Sequence, residues 1–505
     1  MPIDSKSIFK TALGMCQMYL RQQASGGATF HTSQVIRQAV DEVTAMPMFS
    51  GSGVDKERLL TELEMRVTVY APFHHALGED TNHNPWLPLK RGQITWRYWD
   101  RYRLYLEERL PEAGIQSLER VADDVLARLE DPDRSGVWDR RGLVMGDVQS
   151  GKTANYCGLI CKAADAGYKV IIVLSGIHNN LRSQTQIRLD EGFLGMKSEP
   201  RTGGNQQIFH STGAGKFDQT LYANSGTNRS PRGDFSTAAA NQYGVRPGGL
   251  PLLFVIKKNV TILNNLVGWI QSYTDTADPE TNRRYVSTVP VLVIDDESDL
   301  ASVNTRQQMF DEFGNPDLEH NPTKINELIR RILRSFGRVA YVGYTATPFA
   351  NIFIHDRGIT RELGPDLFPS SFIMSLPPSS NYLSPARVFG IEDEEDVGGK
   401  AVEPLPLVRT VTDHAASTAL DEQHGWMPPK LIARTGHIPL YDGAHHIPPS
   451  LREAMMAFIL TVAVRRLREP NPHHNSMLIH VTRYTLVQGL VLNRSRLHSR
   501  ILCSD

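Results

Sequence analysis

Residues 142–153 read GLVMGDVQSGKT, a short apolar run followed at once by a glycine-rich segment that ends in Lys and Thr. The segment from Gly146 to Thr153 fits the pattern Gly-x-x-x-x-Gly-Lys-Ser/Thr, which in proteins joins a β-strand to the helix after it. Its glycines let the backbone curl until several N–H groups point inward, and the positive end of the helix adds to this anion cradle. The stretch therefore predicts a strand, a phosphate-binding loop and a helix, in that order.

Alternating strands and helices continue from this loop towards the C-terminus. The helix is expected to run through about Ala166, and apolar runs typical of buried strands lie at 169–176, 252–258, 289–295 and 338–347. Strands separated by helices at this interval specify a mostly parallel sheet with helices on both faces. We therefore predict an α/β fold, a P-loop NTPase (RecA-like) domain at 141–355, with an insertion at 195–250 that is rich in Gly, Ser, Asn and Arg.

The rest of the chain differs in composition from this central part. Residues 1–140 carry apolar positions at helical spacing, and residues 356–450 are rich in proline, as in a linker or irregular insertion. Residues 451–505 contain a strong helical pattern at 451–469 and a strand-like run at 476–483. We expect this last part to be the start of a second α/β domain, incomplete within this chain.

Composition sets few limits on function. The 505 residues include 54 basic and 55 acidic side chains, so global charge neither favours nor excludes a polyanionic partner. The N-terminus has no apolar signal core, and no uninterrupted apolar stretch is long enough to span a bilayer. A cytoplasmic protein without a membrane partner is the expectation.

The phosphate loop predicts a bound nucleotide. Its lysine, Lys152, is expected to contact the β and γ phosphates, and Thr153 to place its hydroxyl on Mg²⁺. The predicted cofactors are therefore ATP and Mg²⁺. The residues expected to bind the nucleotide are Gly146, Gln149, Ser150, Gly151, Lys152 and Thr153.

A second motif is the apolar strand that ends in VLVIDDESD, residues 291–299. In a parallel sheet the carboxyl ends of the strands form the ligand edge, so these carboxylates are expected beside the phosphate loop. Asp296 is the predicted Mg²⁺ contact, and Glu297 is predicted to orient and deprotonate the attacking water. With Lys152 they form the predicted catalytic set.

A third motif, Tyr344-Thr-Ala-Thr-Pro348, also follows an apolar strand. The hydroxyls of Thr345 and Thr347 are predicted to hydrogen-bond the acidic cluster and to sense the γ-phosphate, which would couple hydrolysis to movement.

In the order GKT, DESD, TAT, these motifs resemble the superfamily-two helicases and translocases. The stretches GLVMGDVQSGKTANY, VLVIDDESDLASVNT, YVGYTATPFANIFI and MLIHVTRYTLVQ are similar to the bacterial "Z-one" domain family, helicase-like proteins linked to restriction and phage-defence loci and described as endonucleases. The resemblance implies an ATP-driven motor on nucleic acid, with double-stranded DNA expected, and a nuclease or methylase partner. It also implies contacts to the nucleic-acid backbone by Arg182, Gln184, Thr482 and Arg483.

Two alternatives stay open at this point. The first is a nucleotide-controlled switch or assembly module that recruits a nuclease or other partner and moves no strand. The second is an endonuclease within this chain. The common restriction-nuclease core needs Glu-x-Lys, and none of the chain's lysines has Glu two positions before it, which disfavours this second alternative.

Overall fold

A mostly parallel β-sheet forms the centre of the first of two units, residues 1–384 (unit 1) and 385–505 (unit 2), in this computed structural model. The structure describes residues 5–25, 33–49, 54–66, 76–77, 83–110, 112–146, 151–199, 210–237, 240, 249–279, 281–304, 322–352, 354, 359–360, 362–376, 388–390, 403–413, 426, 438–441, 444–468, 474–481 and 485–502.

The first half of unit 1 begins with helices and then alternates. Its elements are α1 (Ser5–Ser25), α2 (Ser33–Thr44), α3 (Lys56–Arg66), β1 (Ala76–Leu77), α4 (Leu87–Lys90), α5 (Arg97–Glu107), α6 (Glu112–Arg128), β2 (Trp138–Met145), α7 (Lys152–Ala166), β3 (Val170–Ser175) and α8 (Asn179–Leu189). A π-helical turn, Asp190–Leu194, and a 3-10 turn, Gly213–Lys216, follow α8. The helix after the predicted loop ends at Ala166 as expected, whereas the strand before it, predicted from residue 142, begins four residues earlier at Trp138.

The second half of unit 1 completes the sheet. Its elements are β4 (Asn224–Ser225), β5 (Leu252–Ile256), α9 (Val260–Gln271), β6 (Thr276–Ala277), β7 (Arg284–Asp296), α10 (Lys324–Arg334), β8 (Phe336–Thr345), α11 (Phe349–Ile352), β9 (Ile359–Thr360), β10 (Gly364–Pro365) and β11 (Phe372–Ser375). Strands β9 and β10 pair only with each other among the described residues.

The order of the strands brings the three sequence motifs to neighbouring positions. The described sheet runs β1-β11-β2-β8-β7-β3-β5-β4, with β6 paired to β7. All pairs along it are parallel except β1 with β11 and β6 with β7. In register, Met145 lies opposite Thr345, and Asp296 lies opposite Tyr344. The carboxyl ends of β2, β8 and β7 therefore share one edge.

Helices cover both faces of this sheet. On one face, Trp99 of α5, Leu126 of α6 and Tyr156 of α7 pack into a core with the strands. On the other face, Trp269 of α9 and Ile332 of α10 pack into a second core. This arrangement confirms the predicted mixed α/β fold with a mostly parallel sheet flanked by helices.

Three expectations for the chain outside the motifs need correction. The linker predicted at 356–450 is wrong at residues 372–375, because β11 there pairs in parallel with β2 and extends the sheet. The insertion at 195–250 is not wholly irregular, since its β4 joins the sheet beside β5 and Phe235 is buried. The strand predicted at 476–483 is absent over the described residues 476–481, where Leu478 is 87% exposed.

Unit 2 contains two described helices, α12 (Pro449–Arg468) and α13 (Thr485–Leu502). Asp413 holds the start of α12, because it accepts hydrogen bonds from the Ser450 backbone N–H at 2.8 Å and from the Ser450 hydroxyl at 2.5 Å. An acidic side chain at a helix N-terminus also complements the helix dipole. Across the described residues of both units, no helix is long and apolar enough to cross a membrane.

Asp165 of α7 binds the first turn of α5 and makes stability depend on pH. Its carboxylate accepts the backbone N–H groups of Tyr98 and Trp99, at 3.0 and 2.9 Å, in the first turn of α5. Burial raises the pKa of Asp165 to about 7, against the lowering effect of these two hydrogen bonds. The folded state therefore holds this proton at pH values where the unfolded state has lost it.

We expect the contribution of Asp165 to the free energy of unfolding to be full below about pH 4 and to be lost as the pH rises to about 7. Asp165→Asn should flatten this part of the pH profile, which urea denaturation at several pH values from 5 to 8 would measure. The relevant quantity is the difference between the two proteins, because other groups titrate equally in both. Parallel profiles would contradict the prediction.

Candidate functional site

The edge formed by the ends of β2, β8 and β7 carries most of the predicted site residues. The Gly146 backbone N–H donates to the Thr345 carbonyl at 3.0 Å, and the Lys152 Nζ donates to the Gly146 carbonyl at 2.9 Å. Gly151 precedes the first turn of α7 with φ of 89°, a left-handed conformation that glycine adopts without strain. Gln149 and Ser150 lie outside the described residues.

Thr153 and Asp296 meet through the buried side chain of Tyr156. The Tyr156 hydroxyl donates to Asp296 Oδ2 at 3.1 Å, and hydrogen bonding to the hydroxyl of Thr153 lowers the pKa of Tyr156 against the larger effect of its burial. The Thr153 hydroxyl also accepts a hydrogen bond from Arg188 Nη1 at 3.0 Å. The hydroxyl predicted to bind Mg²⁺ therefore already has a guanidinium beside it.

The two adjacent carboxylates, Asp296 and Glu297, have different environments. Burial raises the pKa of Asp296, the neighbouring Glu297 raises it further, and the hydrogen bond from Tyr156 opposes both. Glu297 is exposed and has φ of 52°, in the left-handed region that costs a non-glycine residue free energy. Its carboxylate lies over Gly176, where an added Cβ would be 3.7 Å from Glu297 Oε2.

A buried lysine stabilises the turn that follows β7, residues 297–300, which we call the acidic turn. Lys258 Nζ lies 2.7 Å from Asp295 Oδ1, and both side chains are fully buried. The same ammonium donates to the Glu297 carbonyl at 2.7 Å and to the Leu300 carbonyl at 3.0 Å. Tyr341 completes the cluster, because its hydroxyl donates to Asp295 Oδ2 at 2.6 Å. Lys258 therefore fixes the backbone conformation from which Glu297 projects.

The threonines after β8 bind the same acidic turn from the other side. Thr345 Oγ1 donates to Asp299 Oδ1 at 2.7 Å, and Thr347 Oγ1 donates to Asp299 Oδ2 at 2.6 Å. The Thr347 backbone N–H in turn donates to Thr345 Oγ1 at 2.9 Å. The hydrogen bonds expected between these hydroxyls and the acidic cluster are present, with Asp299 as their acceptor.

The chemistry of these groups fits a nucleotide phosphate with Mg²⁺. Within the part of the chain that the structure describes, no group of three or more His, Cys, Asp or Glu could hold a metal ion by itself. Mg²⁺ at phosphate sites characteristically takes only one or two protein ligands and completes its shell with phosphate oxygens and water. One hydroxyl, Thr153, and one carboxylate, Asp296, beside the ammonium of Lys152 match that requirement.

The residues predicted to contact nucleic acid do not form one group in the described structure. Arg182 is fully buried, and its guanidinium donates to the backbone carbonyls of Asn228 and Ser230. This placement favours a role in holding the 228–233 loop. Gln184 is exposed on α8. Thr482 and Arg483 lie outside the described residues.

Sequence reasoning missed two residues that complete the site, Lys258 and Arg188. For Lys258 a signal existed: an aspartate inside the apolar run VLVIDD needs a buried counter-ion, and LLFVIKK, in another strand of the same sheet, ends with two lysines. Which of the two is buried depends on the strand register. Arg188 had no signal, because it is one of several polar residues on an 11-residue helix.

Comparison with known families concerns a different part of the chain. Residues 450–498 match the model of the Z1 domain family. The matched segment covers α12 from its second residue and α13 as far as residue 498. It supports the Z-one assignment for this segment. The edge formed by β2, β8 and β7, which carries the three sequence motifs, lies outside the match. No curated protein matches the chain.

Proposed function

We propose that this protein is an ATP-dependent nucleic-acid motor, a helicase-like P-loop ATPase of the Z-one type that acts on double-stranded DNA in a restriction or phage-defence system. The observation that carries the proposal is the common edge of β2, β8 and β7. There the GKT, TAT and DESD motifs are joined by the hydrogen bonds of Gly146, Tyr156 and Asp299.

In the proposed mechanism, the N-terminus of α7 and the Lys152 ammonium bind the triphosphate. Thr153 and Asp296 would hold Mg²⁺, which when bound neutralises phosphate charge. Arg188 now donates to the Thr153 hydroxyl and would have to release it for Mg²⁺ to bind there. Asp296 would bind Mg²⁺ only in its ionised form, and the positive charges of Lys152 and Lys258 both favour that form by lowering its pKa.

Glu297 is the proposed general base. Its exposed carboxylate can accept a proton from water, while Lys258 keeps its backbone in the left-handed conformation. The Thr345 and Thr347 hydroxyls bind Asp299, two residues from this base, so a displacement of the acidic turn would be transmitted to the end of β8. We propose that this contact couples the state of the nucleotide to movement on DNA.

The test is ATP hydrolysis by the full chain at low salt, without polymer and with duplex DNA, single-stranded DNA or RNA. Stimulation by duplex DNA that weakens with added salt is the expected result, because backbone contacts release counterions. Tight ATP binding with no response to any polymer, and a change of oligomeric size on binding, would favour the nucleotide-controlled switch. Absence of both ATP binding and hydrolysis would overturn the proposal.

Lys152→Ala should weaken ATP binding with little effect on folding. Hydrogen bonds to charged groups contribute about 1.5–3 kcal/mol, so the expected loss of affinity is about 10- to 150-fold. The side chain is only partly buried, so water can replace its hydrogen bond to the Gly146 carbonyl, and the loss of stability should be small, about 1 kcal/mol. Titration with a fluorescent ATP analogue and thermal unfolding would measure the two effects. A large drop in melting temperature without nucleotide would contradict the assignment.

A further inference from the structure

A cavity rich in arginine lies at the opposite edge of the same sheet. Its volume is about 600 Å³, and it is lined where α9 and α10 end and where β7 begins. Strand β8 starts beside it at Phe336 and ends at Thr345, and its ten residues span about 30 Å at about 3.3 Å per residue. The cavity is therefore remote from the proposed nucleotide site.

Four arginines line this cavity, Arg283, Arg284, Arg331 and Arg334, against one acidic residue, Glu362. Arg331 is already paired, with Glu362 Oε1 at 2.6 Å and with Glu327 Oε1 at 3.1 Å. Within the described ranges, no ion pair joins the other three to a carboxylate. The cavity therefore holds an excess of positive charge.

Helix dipoles explain only part of this charge. Arg331 and Arg334 lie in the last turn of α10, where cations favourably oppose the negative end of the helix. Arg283 and Arg284 lie at the start of β7, in the hairpin with β6, and have no such reason to be basic. Both residues line the same cavity from a separate element.

The arginines are held in place rather than free in solvent. The Arg283 guanidinium lies over the Tyr285 ring at 5.1 Å from its centroid, and its buried Nε has no hydrogen-bond acceptor among the described residues. Arg334 packs against Gly364, where any side chain would collide with the guanidinium. Burial lowers the pKa of Arg334, and the nearby charges of Arg283 and Arg141 lower it further, while Asp278 and Asp139 act in the opposite sense.

We propose that this cavity is a binding site for a phosphate group, with Arg283 and Arg334 as its main ligands and Arg284 at its rim. Guanidinium groups bind phosphate through two parallel hydrogen bonds, and a bound dianion would offset the positive charges of Arg283 and Arg334 and relieve the repulsion between them. The phosphate comes either from a free phosphate compound or from a nucleic-acid backbone. This site does not depend on ATP binding at the Lys152 edge.

The test uses the full chain in a Lys152→Ala background, so that the proposed nucleotide site does not contribute. Pyrophosphate is titrated by calorimetry in phosphate-free buffer, and a short duplex oligonucleotide is titrated in a second series. Arg283→Gln/Arg334→Gln should weaken binding of the true ligand by about tenfold or more. The matched control is Arg232→Gln, because Arg232 is exposed on a loop outside the cavity.

If the glutamine variant loses affinity for pyrophosphate, the cavity is a site for free phosphate compounds. If it loses affinity for the oligonucleotide alone, the cavity binds the nucleic-acid backbone. Arg283→Lys/Arg334→Lys controls for a glutamine variant that fails to fold, because it keeps both positive charges. Its affinity should fall by an intermediate amount, since lysine cannot form the second parallel hydrogen bond of a guanidinium. Equal affinities of the glutamine variant and the control for both ligands would overturn the proposal. The outcome is separate from that of the proposed function, which is tested with Lys152 intact.

Discussion

Lys258→Met is expected to lower the free energy of unfolding of unit 1 by about 3–5 kcal/mol, the usual cost of removing one partner of a buried ion pair. The variant leaves the Asp295 carboxylate fully buried with only the Tyr341 hydroxyl as a described partner. It also removes the donor to the Glu297 and Leu300 carbonyls. Methionine matches the lysine stem in shape, so loss of packing should contribute little.

The neighbouring lysine provides a matched control. Lys257 Nζ donates to the Asn179 side chain at 2.7 Å in an exposed position, so Lys257→Met should change stability by less than about 0.5 kcal/mol. Urea denaturation followed by tryptophan fluorescence is the measurement. Five of the chain's six tryptophans precede residue 385, so the signal reports mainly on unit 1.

A double variant separates the buried charge from the lost hydrogen bonds. Lys258→Met/Asp295→Asn removes both charges and keeps an acceptor for the Tyr341 hydroxyl. It should recover at least about 1 kcal/mol relative to Lys258→Met, because an uncharged amide is far easier to bury than an unpaired carboxylate. If Lys258→Met is as stable as Lys257→Met, the buried ion pair does not exist in solution.

The central sheet could be predicted because most of its strands can be recognised from their local sequence. Runs such as VIIVLS and VLVI are apolar on both faces, as buried parallel strands require, and each lies next to a helical pattern. Strand β11 could not be predicted in this way. Its four residues, FIMS, are followed by Leu376 and two prolines, so its assignment depends on pairing with β2, which lies more than two hundred residues away.

The strand predicted at 476–483 illustrates the converse case. The apolar run SMLIHV has strand propensity, yet no described strand pairs with residues 476–481, and Leu478 remains exposed. Propensity without a neighbouring strand does not make a strand, because β-structure is stabilised by cross-strand contacts.

The candidate site was predictable to the extent that its residues follow strands. Lys152, Asp296 and Thr345 each end or follow a strand, and parallel strands place such residues at one edge. The same reasoning could not distinguish surface from interior on α8, where Arg182 is buried and Gln184 is exposed. An arginine in a polar segment gives no sign that loop carbonyls from residues 228–230 will surround it.

Glu297→Gln should lower ATP turnover by about 10²- to 10⁴-fold, the usual contribution of a general base, while ATP remains bound. The substitution is isosteric and leaves the backbone bond from Lys258 to the Glu297 carbonyl intact. It removes only the group that accepts the proton from water. Steady-state hydrolysis and direct ATP binding, measured on the same preparation, distinguish this effect from a loss of affinity. Unaltered turnover would refute Glu297 as the base.

A second substitution at the same position separates the carboxylate from the strained backbone. Glycine adopts a φ of 52° without the cost that glutamate pays, so Glu297→Gly should unfold no more easily than the natural protein. If the carboxylate is the base, Glu297→Gly must nevertheless lose turnover at least as severely as Glu297→Gln. If strain at this turn drives the reaction instead, the two variants will diverge: the glutamine variant, which keeps the strain, will retain activity and the glycine variant will lose it. The comparison thus assigns the contribution of residue 297 either to its proton acceptor or to its backbone.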